Sequence, residues 1–250
     1  MNSTFESVLF PVALGIIAVL YASVGQAGGT GYIAVMGLIG FGPEVIKPAA
    51  LSLNILVAAI GSVRFAYAGL LTWRSCYPFA ILGAPFSVLG GVTNLPASIY
   101  QPVVGALLLV AAWQMIRSAR SAAQLDQRAP TYPPFLPSLV AGAGIGFISG
   151  VTGVGGGIFL APLVLSFGWA DTRQAAAVSA VFNLLNSAAA LAGAYATLPS
   201  LPGALPWWLL AVGLGGLLGS WLGMRRLPST ALRFILAALL LAAGARMLFA

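Results

Sequence analysis

The chain has 250 residues, 60% hydrophobic and 6% charged, whereas a water-facing surface needs roughly a quarter of its residues charged. A soluble globule is excluded and a bilayer is indicated. The 11 Lys and Arg against 4 Asp and Glu, net +7, sit between apolar segments rather than on one polar face, which fits basic cytoplasmic loops and not a nucleic-acid surface.

In chain order, apolar runs predict helical elements over residues 8–24, 31–41, 44–69, 74–92 and 98–117. The polar, breaker-rich stretch 118–135 follows, with Arg120, Asp126, Arg128, Pro130, Pro133 and Pro134. Elements resume over 136–150, 158–168, 172–196, 205–223 and 229–249. The segment Met1 to Glu6 lacks the basic region of a signal peptide, so the stretch from Val8 is expected to be mature structure. One cysteine and no histidine argue against disulfides, clustered metal ligands and His-based catalysis. Cys76 reads as a small packing residue.

The two sides of the linker are similar. Gly83, Ser87 and Gly91 match Gly215, Gly219 and Gly223, Leu95-Pro96 matches Leu227-Pro228, and the run Ala106 to Leu109 matches Ala238 to Leu241. Gly28-Gly29 likewise match Gly155-Gly156, Tyr32 matches Phe159, and Ser52 matches Ser179. The expected fold class is therefore all-α integral membrane: a first membrane repeat over 1–117, a cytoplasmic linker over 118–135 and a second membrane repeat over 136–250. Each repeat would hold a re-entrant or broken helical hairpin plus about three transmembrane helices.

Loop charge decides between parallel and inverted repeats. If residues 8–41 form one broken crossing, the basic residues divide almost evenly between the two sides. If they form a hairpin that enters and leaves on one side, Arg74, Arg117, Arg120, Arg128, Arg173, Arg225 and Arg226 share a side against Lys47 and Arg246. The second arrangement satisfies the positive-inside rule, so inverted repeats with both termini outside the cytoplasm are expected.

Gly25 to Gly31 and Gly153 to Gly157 are the most informative segments. A bilayer tolerates non-helical backbone only where it is buried in protein or lines an aqueous cavity. Each run precedes an apolar piece too short to span, whose free N–H groups and positive dipole end suit an anion. Gly28, Gly29, Gly155, Gly156 and Gly157 would let a ligand approach the backbone closely. By contrast, Gly142, Gly146, Gly150 and Gly215, Gly219, Gly223 recur every four residues and read as helix contacts.

Asn54 and Asn183 fall about 15 to 18 Å into their helices, near the midplane, and Ser179, Asn183, Asn186 and Ser187 share one helix face. Amides offer donors to an anion without a buried charge. Gln26, Thr30 and Thr152, in or beside the glycine runs, are further candidate donors. Interhelical hydrogen bonding is the competing role for the asparagines. Arg64 and Arg233 read as snorkelling side chains, Arg64 alternatively as an anchor for an incoming anion. Trp73, Trp207 and Trp208 read as aromatic-belt residues. Glu44 and Asp171 read as helix-start residues. No carboxylate lies deep in a span, which disfavours a buried proton relay and intramembrane acid–base catalysis.

This arrangement resembles the TauE/SafE sulfite exporter family of anion permeases. The likeness rests on Gly153-Val154-Gly155-Gly156-Gly157-Ile158-Phe159-Leu160-Ala161-Pro162, followed by Ala177-Val178-Ser179 and Asn183. In the first half, Gly28-Gly29-Thr30-Gly31 interrupts the family's consecutive glycines with Thr30. The resemblance implies a multi-pass transporter of the bacterial cytoplasmic (inner) membrane for sulfite, organosulfonates or related small sulfur-containing anions, without a cofactor. A passive anion channel is the alternative, and a homodimer is left open. No ATP-binding motif is visible, so a gradient or a separate subunit would supply energy.

Overall fold

The computed structural model describes residues 9–121, 131–195, 201–224 and 229–249. These form ten α-helices: α1 Phe10–Ser23, α2 Gly29–Ile39, α3 Pro43–Tyr67, α4 Trp73–Val92, α5 Ala97–Ser121, α6 Phe135–Thr152, α7 Gly157–Ser166, α8 Thr172–Tyr195, α9 Leu205–Met224 and α10 Ser229–Phe249. Seven are long and apolar enough to cross a bilayer; α1, α2 and α7 are not. Helix α5 runs four residues past the expected repeat boundary. Residues 122–130 of the linker, with Asp126 and Arg128, and the loop with Arg225, Arg226, Leu227 and Pro228 lie outside the described residues.

Local chemistry explains where the helices start and stop. Pro11 and Pro43 occupy first-turn positions, where a missing N–H costs nothing. Asp171 caps α8, its Oδ1 accepting from the Gln174 amide at 2.8 Å. Glu44 lies in the first turn of α3, where a carboxylate complements the dipole. Helix α2 begins at Gly29 rather than 31, so the first break is shorter than its glycine run. Gly31 is there for closeness: a Cβ would lie 2.5 Å from the Tyr21 ring and 2.6 Å from Ile17.

Helices α1 and α2 fold back as a hairpin. The Phe10 ring at the start of α1 lies 5.4 Å from Phe41, just beyond the end of α2. At the matching place in the second half, the Thr131 amide before α6 donates to the Gly168 carbonyl after α7 at 3.0 Å. Trp208 is not an interfacial belt residue as expected. Only 4% exposed, it packs 4.8 Å from Phe10 and 6.2 Å from Phe41, whereas Trp207 and Trp73 are exposed.

The two halves interlock. Helix α1 packs on α9, α6 on α4, α3 on α8 and α5 on α10. Glycines make the crosswise contacts: Gly91 and Gly193 bring α4 against α8, and two seams repeat every four residues. Gly142, Gly146 and Gly150 of α6 lie on the backbone of Phe79, Gly83 and Ser87 in α4, and Gly215, Gly219 and Gly223 of α9 lie on Gly15, Val19 and Ser23 of α1. Both seams run parallel. Ser87 Oγ adds a hydrogen bond to the Gly146 carbonyl at 2.8 Å. The pairs α3/α8 and α5/α10 run antiparallel: Asn54 meets Ser187 while Gly61 meets Ala180, and Gly105 meets Leu248 while Leu109 meets Gly244.

Gly146→Leu should abolish the α4/α6 seam, because a Cβ there would strike the Gly83 carbonyl, whereas Gly144 faces open space and should accept Ala. Size-exclusion profiles in detergent should show aggregate for the first variant and a native peak for the second.

Candidate functional site

The two breaks meet. Gly28 and Gly156, the N-caps of α2 and α7, adopt left-handed backbone with φ 94° and 84°, a turn that glycine makes without steric cost. Each turns the chain so that a helix start points inward. A Cβ on Gly29 would strike the Val154 carbonyl, and one on Gly155 would strike the Asn54 and Asn183 amides. Only glycine permits this approach of one break to the other.

The asparagines tie the breaks together. Asn54 Nδ2 donates to Asn183 Oδ1 at 2.9 Å and to Ser187 Oγ at 2.8 Å, and Asn183 Nδ2 donates back to Asn54 Oδ1 at 3.2 Å. The Gly157 amide reaches the same Asn183 Oδ1 at 3.4 Å. The pair thus joins α3, α8 and the start of α7, and satisfies amides that would otherwise be costly to bury.

Beside this knot lies a cavity of about 20 Å³, lined by Tyr21, Gly25 to Thr30, Val154, Gly157, Ile158, Ser179, Ala180 and Asn183. The first intrahelical bond of α2 is made by the Tyr32 amide to Gly28, and those of α7 by the Phe159 and Leu160 amides to Gly156. The amides of Gly29, Thr30, Gly157 and Ile158 therefore precede the helical ladder. Tyr21 OH pairs with Thr30 Oγ1 at 2.9 Å, and Tyr32 OH donates to the Ala27 carbonyl at 3.2 Å. Ser179 Oγ and Gln26 Oε1 are buried and have no hydrogen-bond partner, although both residues line the cavity.

Of the residues proposed from sequence, Gln26, Gly28, Gly29, Thr30, Gly157, Ser179 and Asn183 come together on this lining. The others stand elsewhere. Asn54 is fully buried behind Asn183, and Gly155 lies against both asparagines and Ser187. Gly156 faces Ile145, Phe182 and Ser149. Thr152 Oγ1 donates to the Ile148 carbonyl, and the Thr152 carbonyl accepts from Tyr100 OH at 2.8 Å. Sequence reasoning missed Tyr21. The available signal was its position four residues before Gly25, at the end of a helix about to break.

Comparison with known families places residues 9–247 in the one described as Sulfite exporter TauE/SafE. The chain belongs to the TauE/SafE sulfite exporter family. It is 50% identical over 244 residues to a protein of Sinorhizobium fredii (strain NBRC 101917 / NGR234) named Probable membrane transporter protein y4hK, covering 98% of this chain and 99% of that relative. No solved structure matches. This TauE/SafE member is accordingly a multi-pass membrane transporter and not an enzyme.

Three cations of this TauE/SafE chain meet the carbonyl ends of helices. Lys47, expected in a loop, is 4% exposed within α3. Its Nζ donates to the carbonyls of Gly90, Gly91 and Thr93 at 3.1, 2.7 and 2.8 Å, closing the C-terminus of α4. Arg233 is no simple snorkeller, since Nη1 donates to Ser118 O and Oγ near the end of α5 at 3.1 and 2.7 Å. Arg246 donates to the Leu38 carbonyl near the end of α2. The three cations thus sit at negative helix ends, while the first turns of α2 and α7 carry no acidic residue.

Lys47→Met should destabilise the protein by about 2 to 4 kcal/mol, because it strands buried carbonyls that a charged donor had satisfied. Arg120, exposed at the end of α5, is the control: its Met variant should lie within about 0.5 kcal/mol of wild type. Unfolding by SDS in mixed micelles measures both.

Proposed function

We propose that this protein is a secondary transporter of the bacterial inner membrane for sulfite, organosulfonates or related small sulfur-containing anions, which bind between the two breaks. The observation that carries this reading is the convergence of the starts of α2 and α7 on one cavity beside the unpartnered Ser179 hydroxyl. Free amides and a positive dipole end attract an anion, and Ser179 supplies a donor with no other use. The family supplies the sulfur chemistry.

The halves are read as inverted repeats. In support, the counterpart helices α3 and α8 cross antiparallel, as do α5 and α10, which a two-fold axis in the membrane plane requires. The crosswise seams α1/α9 and α6/α4 exchange under the same operation. Removing Lys47 from the loop charges leaves Arg246 facing seven arginines, so the positive-inside argument for termini outside the cytoplasm gains weight.

The size of the cavity favours alternating access over a standing pore. About 20 Å³ holds roughly one water molecule, so a sulfur oxyanion enters only when α2 and α7 separate from the opposing helices. Without an ATP-binding motif in the sequence, a gradient or a separate subunit drives the cycle.

Ser179→Ala is the clean test, because Asn183 also carries the interhelical pair. It should weaken sulfite or methanesulfonate binding about 10- to 100-fold, in line with a lost hydrogen bond to a charged group, and leave the ligand-free melting temperature unchanged. Calorimetry on the detergent-purified protein reads the first and a thermal scan the second. Equal affinity in wild type and variant would remove Ser179 from the site.

A further inference from the structure

We propose that the site selects by charge, accepting singly charged sulfur oxyanions and sulfonates and rejecting dianions such as sulfate and fully ionised sulfite. This rests on the anion-site reading above and adds the protonation state of the ligand to it.

The inference comes from what the cavity contains. Its lining has no Lys, Arg, Asp or Glu. The positive potential comes from two helix starts, each equivalent to roughly half an elementary charge. Together they amount to about one positive charge, without acidic residues in either first turn to cancel it. One negative charge on a ligand is balanced there. A second would be buried in a bilayer interior without a counter-charge, which proteins avoid.

The neutral groups agree with this count. Ser179 Oγ is a buried hydroxyl without a partner in a residue 7% exposed. The Tyr21 and Thr30 hydroxyls bond each other, and two hydroxyls sharing one bond retain a second proton to donate. Gln26 Oε1 is an acceptor with nothing to accept from. Two spare hydroxyl protons beside one unfilled acceptor match an anion that still carries an O–H, as hydrogensulfite does. A sulfonate substituted with a donor group would meet the same acceptor.

Charged and titratable side chains on the surrounding helices do not alter the balance. From α1 and α2, Tyr21 and Tyr32 face the break as neutral phenols held by Thr30 and the Ala27 carbonyl. From α3, Lys47 is engaged by the carbonyls at the end of α4, and Glu44 and Arg64 are not part of the lining; from α10, Arg233 and Arg246 are held by Ser118 and the Leu38 carbonyl. From α8, Asp171 caps its own helix and Arg173 is exposed at its first turn. Helices α6 and α7 carry no Asp, Glu, Lys or Arg.

The test is a binding series on the full-length, detergent-purified protein with methanesulfonate, sulfite and sulfate from mildly acidic to mildly alkaline pH. Methanesulfonate is a monoanion throughout and sulfate a dianion, while sulfite exchanges its last proton near neutrality. Methanesulfonate affinity should be flat with pH, which controls for titration of the protein. Sulfite affinity should track its monoanion fraction, falling about tenfold per pH unit on the alkaline side, and sulfate should bind about 100-fold or more weakly than methanesulfonate. Gln26→Lys, which adds a cation to the cavity, should raise sulfate affinity relative to methanesulfonate about tenfold.

Sulfite affinity that is constant or rises with pH, sulfate that equals methanesulfonate, or an unchanged ratio in Gln26→Lys would each overturn charge selection while leaving the site in place. Failure of all three anions to bind wild-type protein would overturn the anion site itself.

Discussion

A helix that ends inside hydrocarbon must find partners for its terminal backbone groups, and nearly every unusual feature of this protein is a solution to that constraint. The carbonyl ends of α4, α5 and α2 are met by Lys47, Arg233 and Arg246. The amide ends of α2 and α7 receive no comparable side-chain anion. One Gly157 amide finds Asn183, and the rest of that electropositive edge borders the cavity. Three of the cations, Lys47, Arg233 and Arg246, meet negative helix ends, while the positive ends of α2 and α7 share one space. The proposed anion site rests on that division, since the cavity wall itself holds no basic residue.

The same constraint decided what could be read from the sequence. Breaks inside apolar runs stand out because glycine clusters have little other use there, so the short helices α2 and α7 and much of the lining were legible. The four-residue glycine spacings gave the seams for the same reason. Lys47 was misread because hydropathy treats every lysine as a surface residue, and only coordinates bring the end of α4 within reach of its ammonium. Trp208 was misread alongside Trp207 because adjacent aromatics look alike in sequence, although on a helix they point about 100° apart. Tyr21 lay hidden in an apolar run where a tyrosine ordinarily marks an interface. The reciprocal Asn54–Asn183 bond was one of two roles the sequence left open, and pairing had to be seen in space.

The interior is also less symmetric than the duplicated glycines suggest. Asn54 and Asn183 are partners 129 residues apart, and the same separation sets Ala176 opposite Lys47. Gly153 packs on Lys47, with its Cβ position 3.2 Å from the lysine Cα, whereas Gly25 packs on Ala176 at 3.5 Å. One break is therefore buttressed by a charged side chain bound to a third helix, and the other rests on the Ala176 methyl and the Phe65 ring. The cavity includes Gly25, Gln26 and Ala180, on the side without the lysine.

This packing bears on which parts move in the proposed alternating access. Backbone-to-backbone glycine seams are stiff, because neither surface has side chains that can rearrange. They join α1 to α9 and α6 to α4, across the sequence halves rather than within them. A moving body would then consist of the hairpin from one half together with a helix of the other, and the two bodies would meet at α3 and α8. That joint is held at its centre by the Asn54–Asn183 amide pair, whose hydrogen bonds can lengthen and re-form, and beside it sit the two glycine breaks. Separation on the Lys47 side requires its ammonium to leave three carbonyls, a cost that the Ala176 side does not carry.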